Sequence, residues 1–137
     1  MKNLLIMLIL SSFFLAFACK KDDSSQAFVL LTTPVWSSDS LLAFGFDAGS
    51  PGGILENFNG DAIFNKNGTG VFGIYTGTWR LSQNDTELVI SSDSLEIRTL
   101  TTKIEELTEQ SLKITTSIPN LMNLNNPIPI RMTFKAK

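Results

Sequence analysis

The sequence contains no histidine and a single cysteine, Cys19. Without histidine the chain lacks the commonest general base, the commonest metal ligand and the base of every Ser-His or Cys-His nucleophile. With one cysteine it can form neither an internal disulfide nor a thiolate zinc site. We therefore expect a protein that is not an enzyme, that uses no cofactor or metal, and that depends on its own core for stability.

Basic residues are also scarce. The 11 Lys and Arg residues are outnumbered by 13 Asp and Glu, and they form no basic stripe. Such a chain has little with which to neutralise phosphates, so we expect no nucleic-acid partner. No internal repeat is visible, and a length of 137 residues is enough for one domain.

One long apolar run is present, and it lies at the N-terminus. Lys2 is followed by the stretch 4–17, in which all 14 residues are apolar or small. This run is too short for a membrane-spanning helix, which needs about 20 residues, and it is typical of the core of a signal peptide. The pattern predicts that residues 1–18 are a lipoprotein signal peptide.

The residues before Cys19 fit two kinds of cleavage. Ala16 and Ala18 satisfy the small-x-small rule of ordinary signal cleavage. The same residues resemble a lipobox, in which the cysteine thiol receives a diacylglycerol, although Ala16 and Phe17 depart from the usual pattern. We favour lipid attachment at Cys19, with a membrane as the partner, because a lone thiol at a mature N-terminus otherwise has no role.

A short polar segment follows Cys19. It begins with Lys20, Lys21, Asp22 and Asp23. This composition is charged and has low β-propensity, so we predict that residues 19–27 are a flexible tether. The segment resembles the lipoprotein surface-export signal of some Gram-negative bacteria. That resemblance implies a lipid anchor in the outer membrane with display at the cell surface; a periplasm-facing anchor is the alternative.

The rest of the chain alternates between apolar and polar residues with a period of two. Examples are Leu112 with Ile114, and Ile130 with Met132 and Phe134. Short alternating strands separated by turn residues favour an all-β antiparallel sandwich or barrel. The predicted strands are 35–46, 61–65, 70–82, 86–91, 95–107, 111–117 and 129–135, with a helical turn over 28–32 and loops over 48–60 and 121–127.

Four motifs occur in order along residues 30–135. They are Leu30-Leu31-Thr32 with Trp36, the hairpin pattern at 63–70, Gly-Thr-Trp-Arg-Leu-Ser at 77–82, and Ile-Glu-Glu-Leu-Thr at 104–108 with Leu112. The ordered set resembles the lipocalin-like domain of small bacterial lipoproteins, although the stretch 37–60 does not follow its pattern. The resemblance implies an antiparallel up-and-down barrel of about eight strands over residues 28–137. The interior of such a barrel is filled by side chains or holds one small ligand.

Large inward residues are the candidates for the barrel interior or for contact with a ligand. They are Trp36, Phe64, Trp79, Leu81, Met132 and Phe134. The two tryptophans and Tyr75, the only tyrosine, are interpreted either as pocket walls or as core packing. The corresponding functions are non-enzymatic binding of a small apolar molecule and, as the alternative, a structural or interaction module with a filled barrel that contacts a protein or glycan.

Two smaller patterns carry further hypotheses. The Asp-Ser-Leu triplets that contain Ser40 and Ser94 resemble an O-glycosylation acceptor pattern of some of the same bacteria, and plain turn-to-strand transitions are the alternative. The adjacent carboxylates Glu105 and Glu106 are interpreted as solvated charge, because neighbouring residues in a strand face opposite sides and cannot share acid–base work.

Overall fold

The computed structural model describes residues 24–137. This part of the chain is mostly antiparallel β-sheet with one α-helix, so the all-β fold class and the barrel are confirmed. The hypotheses on the signal peptide, on Cys19 and on Lys20, Lys21, Asp22 and Asp23 concern residues that lie outside this range.

The regular elements follow one another with short connections. Helix α1 covers Gln26–Thr32, and a 3-10 helix covers Glu56–Phe58. The strands are β1 (Trp36–Ala43), β2 (Phe46–Asp47), β3 (Asp61–Phe64), β4 (Thr69–Phe72), β5 (Tyr75–Ser82), β6 (Glu87–Ser91), β7 (Thr99–Leu107), β8 (Ser111–Ile118) and β9 (Ile128–Ala136).

Eight strands form a closed barrel. From β3 to β9 each strand pairs with the next in antiparallel fashion, and β1 joins β3 on one side and β9 on the other. The β1–β9 pairing extends over seven residue pairs, from Trp36 with Ala136 to Ala43 with Ile130. Strand β2 pairs only with the end of β1 and stays outside the closed cylinder. Closure leaves the eight strands without a long free edge, which protects the sheet from pairing with other chains.

Two predicted strands are broken by turns in the structure. The stretch 35–46 was expected to be continuous, but Phe44 and Gly45 have φ of 51° and 78°, so β1 ends and β2 returns beside it. The stretch 70–82 divides at Gly73, whose φ is 62°, into β4 and β5. Left-handed backbone of this kind ends a strand, and Gly73 adopts it without a Cβ clash.

The predicted strand 95–107 begins later than expected. Residues 92–98 form successive turns, in which Leu95 N–H donates to the carbonyl of Ser92 and Arg98 N–H donates to that of Leu95. Arg98 has φ of 56°, and regular β7 starts at Thr99. The alternation of Leu95 and Ile97 therefore belongs to a loop, and periodicity over so few residues did not distinguish it from a strand.

The connections divide the barrel into two ends. We call the end that carries α1 and the turns 65–68, 83–86 and 108–110 the closed end. We call the opposite end, formed by residues 44–60, 73–74, 92–98 and 119–127, the mouth. This division follows from the alternation of strand direction around an up-and-down sheet.

Helix α1 covers the closed end. Ser25 caps the helix by accepting a hydrogen bond from Phe28 N–H, and Leu31 is completely buried. The ring of Phe28 lies 5.5 Å from that of Trp79, and Trp36 Nε1 donates to the Leu31 carbonyl at 3.1 Å. The helix therefore contributes both apolar cover and a hydrogen-bond acceptor for a buried indole.

Candidate functional site

A cavity of about 760 Å³ opens at the mouth. Its apolar lining includes Phe58, Leu95, Leu100, Ile118, Ile130 and Met132. These residues come from the 3-10 helix, the β6–β7 loop and strands β7, β8 and β9, so the cavity lies among all the main mouth segments. Ligand pockets for small molecules have volumes of roughly 300–1,000 Å³, and this cavity falls in that range.

The floor of the cavity is the upper surface of the barrel core. Leu100, Ile130 and Met132 are 5%, 3% and 1% exposed, because the side chains below them fill the barrel. The filling residues include Trp36, Leu88, Leu112 and Ile114, none of which lines the cavity. Side chains thus pack the barrel interior up to these floor residues, and the cavity lies between them and the mouth segments.

One wall of the cavity is aromatic and carries polar groups. The rings of Phe58 and Tyr75 lie 4.9 Å apart, and Asn57 Nδ2 donates to the Tyr75 hydroxyl at 3.3 Å. The Asn57 carbonyl also accepts from Ile74 N–H at 2.9 Å. These bonds join the 3-10 helix to the β4–β5 turn, so the wall is held on both sides. A half-buried hydroxyl and carboxamide beside apolar rings can orient the polar end of a ligand.

The charged residues of the lining are both acidic. Glu56 and Glu96 contribute to it, and no Lys or Arg is among its residues in the described part of the chain. Glu56 accepts a hydrogen bond from Gly52 N–H at 2.5 Å. Nearby in the same mouth segment, hydrogen bonds from Ser50 and Gly49 lower the pKa of Asp47, which keeps that carboxylate ionised.

Exposed apolar side chains gather at the mouth. Nine large hydrophobic side chains are exposed among the described residues, and only Val29 lies at the closed end. The other eight form what we call the apolar rim: Phe44, Phe46, Ile54, Ile74, Ile97, Leu121, Met122 and Leu124. Single exposed hydrophobic residues are ordinary, but their concentration at one end of a molecule makes that end a candidate binding surface.

Of the six interior candidates from the sequence, Met132 alone lines the mouth cavity. Trp36, Phe64 and Phe134 are buried in the core. Trp79 and Leu81 border a more open depression of about 620 Å³ at the closed end. Trp79 is only 6% exposed, and its Nε1 donates to the Asn65 carbonyl at 3.0 Å. The tryptophans therefore lie away from the mouth. Of the three aromatic residues considered from the sequence as pocket walls, Tyr75 borders the mouth cavity.

Sequence reasoning did not find most of the cavity wall. Phe58 and Asn57 lie in the stretch 48–60, which was expected to be a plain glycine-rich loop and has no periodic pattern. Ile118 continues β8 one residue beyond the predicted strand. An available signal was the presence of large apolar residues in the predicted loops, which are Ile54, Leu55 and Phe58 in 48–60 and Leu121, Met122 and Leu124 in 121–127.

The candidate glycosylation residues occupy different surroundings. Ser40 is half-buried in β1 opposite Thr133 of β9, whereas Ser94 is exposed in the β6–β7 loop and borders the mouth cavity. Asp39, beside Ser40, forms a 3.0 Å ion pair with Lys135.

The adjacent carboxylates form separate ion pairs. Glu105 lies in a β-bulge and contacts Lys103 at 3.2 Å, and Glu106 contacts Lys113 at 2.8 Å. A hydrogen bond from Thr115 and the contact with Lys103 lower the pKa of Glu105, and the contact with Lys113 lowers that of Glu106. Both groups are thus ionised partners of lysines on the barrel surface.

No protein-family model matches the chain, and a comparison with curated proteins finds no relative of significant similarity. Within residues 24–137, no group of His, Cys, Asp and Glu side chains is arranged to hold a metal ion. In the same range no helix is long and apolar enough to span a membrane.

Proposed function

We propose that this protein is a membrane-anchored, lipocalin-like lipoprotein that binds a small apolar molecule at the mouth of its barrel, without catalysis. The observation that carries the proposal is the mouth cavity, which combines a ligand-sized volume, a buried apolar floor and an apolar rim. Burial of apolar ligand surface against such a floor contributes a favourable binding free energy of about 25 cal/mol for each Å² removed from water.

The positions of the four sequence motifs support the lipocalin-like assignment. Leu30-Leu31-Thr32 ends helix α1, and Trp36 begins β1, so this motif joins the covering helix to the barrel. The hairpin pattern at 63–70 spans the β3–β4 turn, and the motif at 77–82 lies in β5. The motif at 104–108 closes β7, and its Leu112 lies in β8. All four motifs therefore have positions that agree with an up-and-down barrel closed by a helix at one end.

The N-terminal segment joins the domain at the closed end, which supports a mouth that faces away from the membrane. Ser25 caps α1 at the closed end, and Cys19 precedes Ser25 by six residues. A lipid on Cys19 would hold the closed end toward the membrane, because six residues span at most about 21 Å. The mouth would then open away from that membrane and receive its ligand from the medium.

Titration with a neutral solvatochromic dye tests ligand binding. We expect saturable binding to the mature domain, at least tenfold weaker in Ile118→Glu because a charge then enters the apolar wall. Leu81→Glu is the matched control: Leu81 is also half-buried near a strand end but borders the closed-end depression. Loss of binding in Leu81→Glu alone would move the site to the closed end, and absence of dye binding in the wild type would remove the proposed function.

Metabolic labelling with an acyl-chain probe tests the anchor. We expect label on the wild type and none on Cys19→Ala, because Cys19 is the only thiol. Equal label on both proteins would contradict lipid attachment at this residue. Protease added to intact cells tests the address, since a surface protein is cut at once and a periplasm-facing one only after the outer membrane is opened.

One observation favours the second candidate function, an interaction module. Leu121, Met122 and Leu124 are 89%, 98% and 78% exposed, and the last two are not part of the cavity lining. Side chains this exposed gain little from a ligand inside the cavity, whereas a protein surface could cover them. This function is favoured if the wild type binds no dye.

A further inference from the structure

Charge is distributed unevenly between the two ends of the barrel. The mouth segments carry four carboxylates, Asp47, Glu56, Asp93 and Glu96, and one cation, Arg98. The rest of residues 24–137 carries seven acidic and seven basic side chains. The excess negative charge of the described domain therefore lies entirely at the mouth.

The negative charge extends into the cavity itself. Glu56 approaches the lining from the 3-10 helix and Glu96 from the β6–β7 loop, so acidic groups border the cavity from two separate segments. A ligand carboxylate that entered here would meet charge of its own sign and no lining cation with which to pair. Burying an unpaired charge beside an apolar floor is unfavourable, and a nearby like charge adds to the cost.

A cation meets the opposite conditions. The two carboxylates attract it, and the aromatic rings of Phe58 and Tyr75 border the same cavity. The Tyr75 hydroxyl can accept a further hydrogen bond from an ammonium or hydroxyl group. The apolar floor binds ligands of similar shape equally well. The carboxylates, the two rings and the hydroxyl group can distinguish such ligands by their charge.

We propose that the mouth binds cationic and uncharged amphiphiles and discriminates against anionic ones such as fatty acids. The ligand would place its apolar part on the Leu100, Ile130 and Met132 floor and its cationic or uncharged polar end near Glu56 and Glu96. This inference rests on the proposed function, since it concerns the selectivity of the same cavity.

Competition with the neutral dye tests the selectivity. The competitors are dodecyltrimethylammonium, dodecanol and dodecanoate, which share a dodecyl chain and are used below the concentrations at which they form micelles. At low ionic strength we expect the cation to bind about tenfold more tightly than the anion, with dodecanol between them. The difference is expected to shrink to about threefold in high salt, because exposed charges are screened.

A charge-matched pair of variants assigns the effect to the cavity. In Glu56→Gln combined with Glu96→Gln we expect the cation-to-anion ratio to fall to about threefold or less at low salt. Glu105→Gln combined with Glu109→Gln removes the same charge far from the lining, and here we expect the wild-type ratio. Glutamine can still accept the Gly52 hydrogen bond at position 56, so the loop contact is preserved.

The outcomes separate the two proposals. If neither the dye nor any competitor binds, the proposed function fails and the selectivity with it. If the dye binds but the three competitors are equivalent, or the ratio survives in the Glu56 and Glu96 variant, the selectivity is wrong and the binding function stands.

Discussion

The closed end and the mouth of this barrel differ in the solvent exposure of their large apolar side chains. At the closed end, Trp36 and Trp79 are buried and each indole N–H donates to a backbone carbonyl. At the mouth, Ile74 and Leu121 are 69% and 89% exposed. The first arrangement removes apolar surface from water and satisfies both indole N–H groups, whereas the second leaves apolar surface in water in the free protein.

This difference separates stability from ligand contact. A side chain stabilises the fold only by the surface it loses on folding, so the apolar rim contributes little to folding. The same exposed surface is available to a ligand or partner. We therefore expect substitutions of buried closed-end residues to destabilise the protein, and substitutions in the apolar rim to change binding in a protein that remains folded.

Trp79→Ala is expected to have the largest effect. It removes a nearly buried ring that contacts Phe64 and Phe28, at ring distances of 5.5 Å each, and it deletes the bond to Asn65. Large-to-small changes of this kind cost about 3–5 kcal/mol in the free energy of unfolding. Urea denaturation measures the loss, and a value below about 1 kcal/mol would show that the closed end does not carry the stability of the domain.

Gly77→Ala is expected to cost about 2–3 kcal/mol of stability. A Cβ at this position would meet the carbonyl oxygen of Ser91, because β6 approaches β5 closely there. Gly52→Ala, in the mouth segment 44–60, is the control. Gly52 has φ of 87° and open space around it, so only backbone strain of about 1 kcal/mol is expected. Equal losses in the two variants would contradict a close approach at Gly77.

The contrast also explains which features could be predicted from the sequence. Along β8 and β9, alternation follows directly from burial on one face, so the residues Leu112, Ile114, Ile130, Met132 and Phe134 indicated both the strands and their inward sides. The tryptophans were recognised as interior candidates for the same reason. Turn geometry was harder to predict, because Phe44 adopts a left-handed φ that its residue type does not favour.

The candidate site was less predictable because it has no period. Residues 44–60, 73–74, 92–98 and 119–127 come together only when the sheet closes, and each is a turn or loop when considered alone. Their apolar residues therefore looked like isolated exceptions in polar segments. An up-and-down order places alternate connections at the same end. Barrel closure is nevertheless a long-range property, and no local pattern shows which side chains of those loops will come together.

Ile74→Ser tests whether a residue of the apolar rim contacts the ligand without stabilising the fold. Ile74 borders the cavity and is mostly exposed, so we expect stability within about 0.5 kcal/mol of the wild type and dye affinity reduced about threefold to fivefold. Val29→Ser is the matched control, since Val29 is 50% exposed at the closed end. We expect that control to change neither quantity by much, and a similar loss of affinity in both variants would show that the dye binds at no defined end.

The smallest expected effect concerns the Glu106–Lys113 ion pair on the barrel wall, between the two ends. Lys113 lowers the pKa of Glu106, so the folded state binds a proton there less readily than the unfolded chain does. A carboxyl group with a lowered folded pKa stabilises the protein above its unfolded pKa, and that stabilisation is lost as pH falls through the folded value. Lys113→Met should therefore be slightly less stable than the wild type at neutral pH and should lose this deficit below about pH 4, near the ordinary pKa of glutamate.

An NMR titration of the side-chain carboxyl groups measures the effect of Lys113 on Glu106 directly. The pKa of Glu106 should rise in Lys113→Met, whereas that of Glu105 should stay low because Thr115 and Lys103 hold it. An unchanged Glu106 pKa would mean that solvent and salt screen this exposed pair completely, in which case the pair contributes nothing to the stability of the barrel wall.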